Sequence, residues 1–130
     1  MNEQHDNFAA LEAEQFIRLS TYRRSGEPVH TAVWFAYHAG RLYVQTMLGA
    51  GKIKRIRNSS AVTLAASDRS GNPTGPEVAG YARVLDEVEQ RMAEEIIQHK
   101  YGEQRTQLMA RMGGGEMLKR DYIEIAPAGE

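Results

Sequence analysis

The sequence predicts a mainly β domain, a small six-stranded antiparallel barrel with helices inserted late in the chain. Two observations carry this. Short segments with apolar residues at every second position recur at hairpin spacing, separated by glycine- and proline-bearing turns. Helical periodicity becomes strong only after two such hairpins have passed. At 130 residues, with no internal repeat, the chain has room for one core, and a single domain over 1–130 is expected.

Residues 1–7 are polar and expected to fray. Phe8 and Leu11 share helical spacing, so 7–14 reads as a short helix capped by Asp6 or Asn7. From Phe16 the period changes to two: Ile17, Leu19 and Thr21 alternate with Arg18, Ser20 and Tyr22, up to the turn signal at 24–28. Val29–His38 is rich in β-branched and aromatic residues, and His38-Ala39-Gly40 turns it into a third strand, Arg41–Met47. After Gly49-Ala50-Gly51 the pattern is helical to Asn58. Ala61–Ser67 reads as a short buried strand and Asp68–Gly75 as a loop. Glu77–Leu85 alternates again, with Gly80 and Ala82 on one face, which implies close approach of another backbone, a ligand or a subunit. Val88, Met92, Ile96 and Ile97 form the apolar stripe of the strongest helix, which ends at Tyr101-Gly102. A second helix, Glu103–Met112, carries Leu108, Met109 and Met112 and stops at three glycines; Met117–Ala126 closes the barrel as a strand.

Composition excludes several classes. There is no cysteine, hence no disulfide, thiolate metal site or cysteine nucleophile. The four histidines lack metal-ligand spacing, so no metal is expected. A net charge of −1 argues against a protein built to bind nucleic acid. No apolar run reaches membrane-spanning length, and the N-terminus lacks a secretory pattern, so a cytoplasmic protein is expected, with no membrane partner. No nucleophile–base motif is present, and no catalytic side chain is assigned.

The charge distribution is more telling than the total. All 17 acids lie in residues 1–27 and 68–130, leaving 28–67 without any. Inside that window sit Lys52, Lys54, Arg55 and Arg57, on the helix that starts at Gly51. The unpaired amides of a helix N-terminus already carry positive potential, so Lys52 there gains nothing from the helix itself. An anion, most simply a phosphate, is the missing partner. Arg57, near the other end, is favourable without a ligand. Thr46, six residues before Lys52 at a strand end, either brings a hydroxyl within reach of the same anion or is a β-branched strand residue facing solvent. Val33, Trp34 and Phe35 offer either an apolar wall for a ring system or plain core. A phosphate-bearing ligand on a barrel without acid–base machinery points to an enzyme whose cofactor carries the chemistry.

The stretches RLSTYRRSGEPVHTAVWF, GRLYVQTMLGAGKIKRIRNSSAVTLAASDRSGNPTGPEVAGYARVL, KYGEQR and DYIEIAPA resemble the pyridoxamine-phosphate-oxidase-like flavin split barrels, over roughly 16–126. Within them the chain is similar to the PPOX-class F420-dependent branch. The resemblance implies a six-stranded split β-barrel with flanking helices, a homodimer, and a cofactor in a groove at the subunit interface. It implies that the strand at Thr31, Val33, Trp34 and Phe35 runs under the cofactor ring. Thr46, Gly51, Lys52 and Lys54 would hold the phosphate, with Arg55 beside them. Ala50 stands where relatives often carry a serine, removing one hydroxyl from that cradle, and Ala32 stands where many carry proline. The implied activity is hydride transfer between reduced deazaflavin F420 and a small unsaturated or conjugated organic substrate. The alternatives are an FMN oxidoreductase and a non-catalytic flavin or tetrapyrrole binder of the same fold.

Overall fold

The alternating segments become six strands that close into one antiparallel barrel. In the computed structural model, which describes residues 8–47, 49–111 and 120–128, they are β1 (Phe16–Tyr22), β2 (Pro28–His38), β3 (Arg41–Met47), β4 (Ala61–Ser67), β5 (Val78–Val84) and β6 (Arg120–Pro127). Their order around the barrel is β1-β2-β3-β6-β5-β4. The helices are α1 (Gly51–Asn58), α2 (Glu87–Tyr101) and α3 (Glu103–Arg111). This is the six-stranded, mainly β architecture with flanking helices that the sequence predicts. The expected caps at Asp6 and Asn7, the side chains of Met109 and Met112, the glycines after them and the start of the last strand lie outside the described residues. Among those described, no helix is long and apolar enough to cross a membrane.

The inward side of the alternation fills the barrel. Ile17, Leu19, Phe35, Leu42, Val44, Leu64, Ile123 and Ile125 are all fully buried in one cluster, joined by Phe8 and Leu11 from the N-terminal turn and Ile53 and Ile56 from α1. Gly80 is required here. A Cβ on it would lie 2.9 Å from the Ala126 carbonyl oxygen and 2.9 Å from Ile125 Cγ2. The close approach expected at Gly80 is therefore made by β6 of the same chain.

One seam of the barrel is open over part of its length. The β2–β3 ladder runs from His38↔Arg41 only as far as Phe35↔Val44. The hairpin is closed by the two-residue turn Ala39-Gly40, both at positive φ, which makes His38↔Arg41 a hydrogen-bonded pair. Alternation then directs the backbone groups of the even residues of β2 toward β3 and those of the odd residues toward β1. His30, Ala32 and Trp34 consequently present N–H and C=O groups to a side where none of the described strands pairs with them. Carried on in register, the ladder would set Val33 opposite Thr46. That seam is the split.

α2 lies over the outer face of β2, β3 and β6, and its orientation differs from the sequence expectation. Ala93, Ile97 and Tyr101 are its buried line, packed on Ala36, Tyr43 and Tyr122. Val88 and Met92, expected to be in the apolar stripe, are 78% and 45% exposed. Polar groups fix the rotation. Asp86 and Glu89 form a capping box, and Glu89 also grips Arg83 of β5 through both oxygens. At the other end the Tyr101 hydroxyl accepts the Phe35 N–H (2.9 Å) and lies 2.8 Å from the carbonyl oxygens of Gln15 and Phe35. Its ring stacks on Trp34, with centroids 4.3 Å apart.

Lys100 sits against the same junction. Its Nζ lies 3.6 Å from the centre of the Phe35 ring and donates to the Glu14 carbonyl oxygen at 2.6 Å. Burial pushes its pKa down to about 8, with Glu12 and Glu14 opposing. In the unfolded chain the same amine keeps its proton up to the ordinary lysine range. Between pH 8 and about 10 the unfolded state thus binds more protons, and this group makes stability rise with pH. Above about 10 the buried tyrosines Tyr43, Tyr101 and Tyr122, all raised to about 12 mainly by burial, reverse the slope. Denaturant unfolding from pH 7 to 10 is expected to show the rise, and Lys100→Met to flatten it. A wild-type profile flat over that range would contradict the assignment.

Candidate phosphate cradle and cofactor groove

Sequence places α1 so that its N-terminus opens beside the split. Glycines flank the turn between β3 and α1, and Ile53 and Ile56 anchor the helix in the core. Its N-cap is Ala50, which makes no side-chain capping bond, and its first turn holds no acid. The Ala50 N–H is taken by the Met47 carbonyl at 3.1 Å and the Ile53 N–H by that of Ala50 at 2.9 Å, so the helix start offers the amides of Gly51 and Lys52 together with its positive potential.

Two of the predicted residues meet there. Lys52 Nζ donates to Thr46 Oγ1 at 3.2 Å. Arg55 reaches back along the helix: its Nε donates to Thr21 Oγ1 at 2.7 Å, and its Nη1 lies where a Cβ on residue 51 would be only 2.9 Å away. Gly51 thus leaves room for a guanidinium to lie over the helix start. The ammonium and guanidinium have hydroxyls for partners. No described carboxylate pairs with either of them, or with Arg23. Asp121, opposite Thr46 in the ladder, instead accepts the Gly49 N–H at 3.1 Å.

The electrostatics reflect this crowding. Lys52 is held below the ordinary lysine range, first by burial and then by the charge of Arg55. Arg55 is lowered by burial and then by Arg23. Like charges gathered without a counter-ion cost stability, and an anion would relieve that cost.

Beyond the cradle lies a groove of about 570 Å³, lined by Tyr22, Arg23, Arg24, Lys54, Arg55, Arg57 and Asn58. Among the described residues it carries five cationic side chains and no acid. Lys54 therefore faces the groove, with Arg55 shared between groove and cradle. The sequence pattern assigns Arg24 to a turn and Thr21 to a strand, and gives Arg23 no role. The available signal was that the two arginines come directly before the acid-free window, separated from it only by Ser25, Gly26 and Glu27.

The aromatic strand is divided by its pleat. Val33 and Phe35 are buried in the barrel, and Thr31 shares their inward parity. Trp34 points the other way, onto Tyr101. The three side chains Val33, Trp34 and Phe35 thus form no common wall. What this segment offers at the split is its backbone edge, across from Thr46.

Barrel, seam and cationic helix start together define a split β-barrel. The chain belongs to the pyridoxamine 5'-phosphate oxidase family, whose model matches residues 1–129. No curated protein matches it. Among solved structures it is similar to an F420 reductase (TM-score 0.62, 20% identity, covering 93% of this chain and 92% of that one). It is also similar to an FAD-binding protein from Mesorhizobium loti (TM-score 0.68, 16% identity, 95% and 86% covered). A third is General Stress Protein 26 from Bacillus anthracis (TM-score 0.62, 16% identity, 97% and 90% covered). At these identities the likeness is one of fold.

Proposed function

We propose that the protein is an oxidoreductase of the F420-dependent branch of this family, acting on a small conjugated organic substrate. The observation that carries the choice of cofactor is the five-cation groove continuing from the cradle. FMN ends at its phosphate, so a phosphate cradle alone suits it. F420 continues past its phosphodiester into a chain of carboxylates, which need counter-charges further along. Arg23, Arg24, Lys54 and Arg57 supply them, while Thr46, Lys52, Arg55 and the helix start hold the phosphate. The unpaired backbone of His30, Ala32 and Trp34 offers donors and acceptors to the edge of a ring in the split. Bound there, the deazaflavin supplies the hydride chemistry; the chain's own residues position it and exclude water. A second copy covering the open seam, as a homodimer with the cofactor between subunits, completes this reading.

The test is titration of the protein with F420, with its form lacking glutamates, and with FMN, followed by fluorescence. Glutamate-bearing F420 is expected to bind most tightly, with an advantage that shrinks as salt rises. The reading fails if neither F420 nor FMN binds below about 100 μM, which is ~5.5 kcal/mol. Binding of FMN as tight as that of F420 would favour the flavin alternative. A protein that holds reduced cofactor but never passes hydride to enones, quinones or biliverdin would be a carrier.

A further inference from the structure

We infer that Arg18 is a carboxylate-binding group, held between ligands by Glu77, and that it gives the protein a second anion site distinct from the phosphate cradle. Arg18 stands on the outer face of β1, directly between Ala32 of β2 and Ala65 of β4. Both neighbours are alanines, whose side chains offer it no polar partner. Its Nε is buried and has no hydrogen-bond partner, unlike every other buried side-chain nitrogen or oxygen among the described residues. Such a group calls for a physical reason, because an unsatisfied buried donor costs free energy. Its one ion pair among the described residues is loose: Nη2 lies 3.5 Å from Oε2 of Glu77, whose side chain is 51% exposed. By contrast, Arg105 and Arg83 hold their carboxylates through two short bonds each.

The surroundings are built rather than bare. Gly71, at positive φ, lies beside Ala32, and the loop carrying it is pinned by Asp68 and by the Thr74 N–H on the Ala66 carbonyl. On the same face, one step along, Ser20 Oγ and His30 Nδ1 lie 2.5 Å apart, and the Tyr22 and Thr63 hydroxyls 3.0 Å. Those polar groups satisfy each other and leave Arg18 as the one with donors to spare. Ala32 also belongs to the open edge of β2. A planar carboxylate exchanging with Glu77 at the guanidinium would therefore place its organic part along that edge. That this ligand is the substrate of the proposed reductase rests on the function proposed above; the anion site does not.

The test uses trans-cinnamate, a conjugated carboxylate, titrated by calorimetry into the full chain without cofactor, with cinnamyl alcohol as the uncharged control. Cinnamate is expected to bind and the alcohol not. Glu77→Gln is expected to tighten cinnamate about tenfold by removing the competitor, while leaving binding of F420 and FMN unchanged. Arg18→Lys, which keeps the charge and loses the fork, is expected to weaken it about tenfold, and Arg18→Gln to abolish it. Equal affinity for acid and alcohol, or no tightening in Glu77→Gln, would overturn the inference. Failure of F420 to bind would leave these outcomes intact and count only against the proposed function.

Discussion

Replacing Lys52 by alanine is expected to weaken binding of the phosphate-bearing cofactor by about 1.5–3 kcal/mol, roughly 10- to 150-fold, the range for a hydrogen bond to a charged group. The same change is expected not to destabilise the cofactor-free protein. Lys52 is half-buried beside Arg55, and its hydrogen-bond partner is the Thr46 hydroxyl. Removing it takes away a desolvated charge and a repulsion at a helix end that disfavours cations. A residue that weakens the empty protein yet strengthens the complex is what a binding role looks like thermodynamically. Fluorescence titration of F420, with thermal melting of the unliganded variant, checks both halves. Undiminished affinity in a folded variant would take Lys52 out of the cradle. Lys54→Ala is a sharper control, because its side chain faces the groove. Its effect should appear with glutamate-bearing F420 and vanish with the glutamate-free form.

The strands were legible because a half-buried strand writes its inward face at every second residue. Ile17 and Leu19, Leu42 and Val44, Ile123 and Ile125 all do this, and no long-range information is needed to see it. The meeting of Lys52 with Thr46 was legible for a local reason also, since six residues and a glycine turn bring a strand end onto the next helix start. The split was legible only through the family resemblance and not in the residue pattern. It depends on where the β2–β3 ladder stops, and β2 itself continues in good strand pattern through the stopping point. Nor was the orientation of α2. Val88, Met92 and Ile96 have the better apolar spacing, but Tyr101 is tied by its hydroxyl to Phe35 and Gln15, and Glu94 to Arg105 of α3 and Tyr122 of β6. Polar contacts between residues far apart in sequence overrode a pattern that hydrophobicity alone favoured. Arg55 shows the same limit at short range. Its spacing from Lys52 was readable, while its fold back over Gly51 required knowing that Thr21 waits on β1.

Arg105→Met is expected to destabilise the protein by about 2–4 kcal/mol. Arg105 is 2% exposed and is the largest fully buried side chain described. Its Nη1 and Nη2 donate to the two carboxylate oxygens of Glu94 at 2.6 and 2.7 Å, Nη1 also to Gln98 Oε1, and Nε and Nη2 to Gln45 Oε1. The Tyr122 hydroxyl donates to the same carboxylate. One side chain thereby joins α3 to α2, β3 and, through Glu94, β6. Methionine fills much of the volume and supplies none of the donors, so Glu94 and Gln45 lose partners they cannot replace inside. Glu94 retains some exposure, 36% of its side chain, which screens the loss and keeps the figure from the top of the range for buried pairs. Glu94→Leu in the Arg105→Met background should recover part of the stability, because the stranded carboxylate goes; Tyr122 and Gln45 would still lack their partners. The pH dependence separates this from a simple packing defect. The hydrogen bonds from Arg105 hold the Glu94 carboxyl below the ordinary glutamate range. Its contribution is present above the unfolded-state value and is lost as pH falls through the lower folded value. Denaturant unfolding of the wild type is thus expected to show falling stability on acidification that Arg105→Met diminishes. An equal acid slope in both proteins, or a loss under about 1 kcal/mol at neutral pH, would mean that the network does not hold α3 in place.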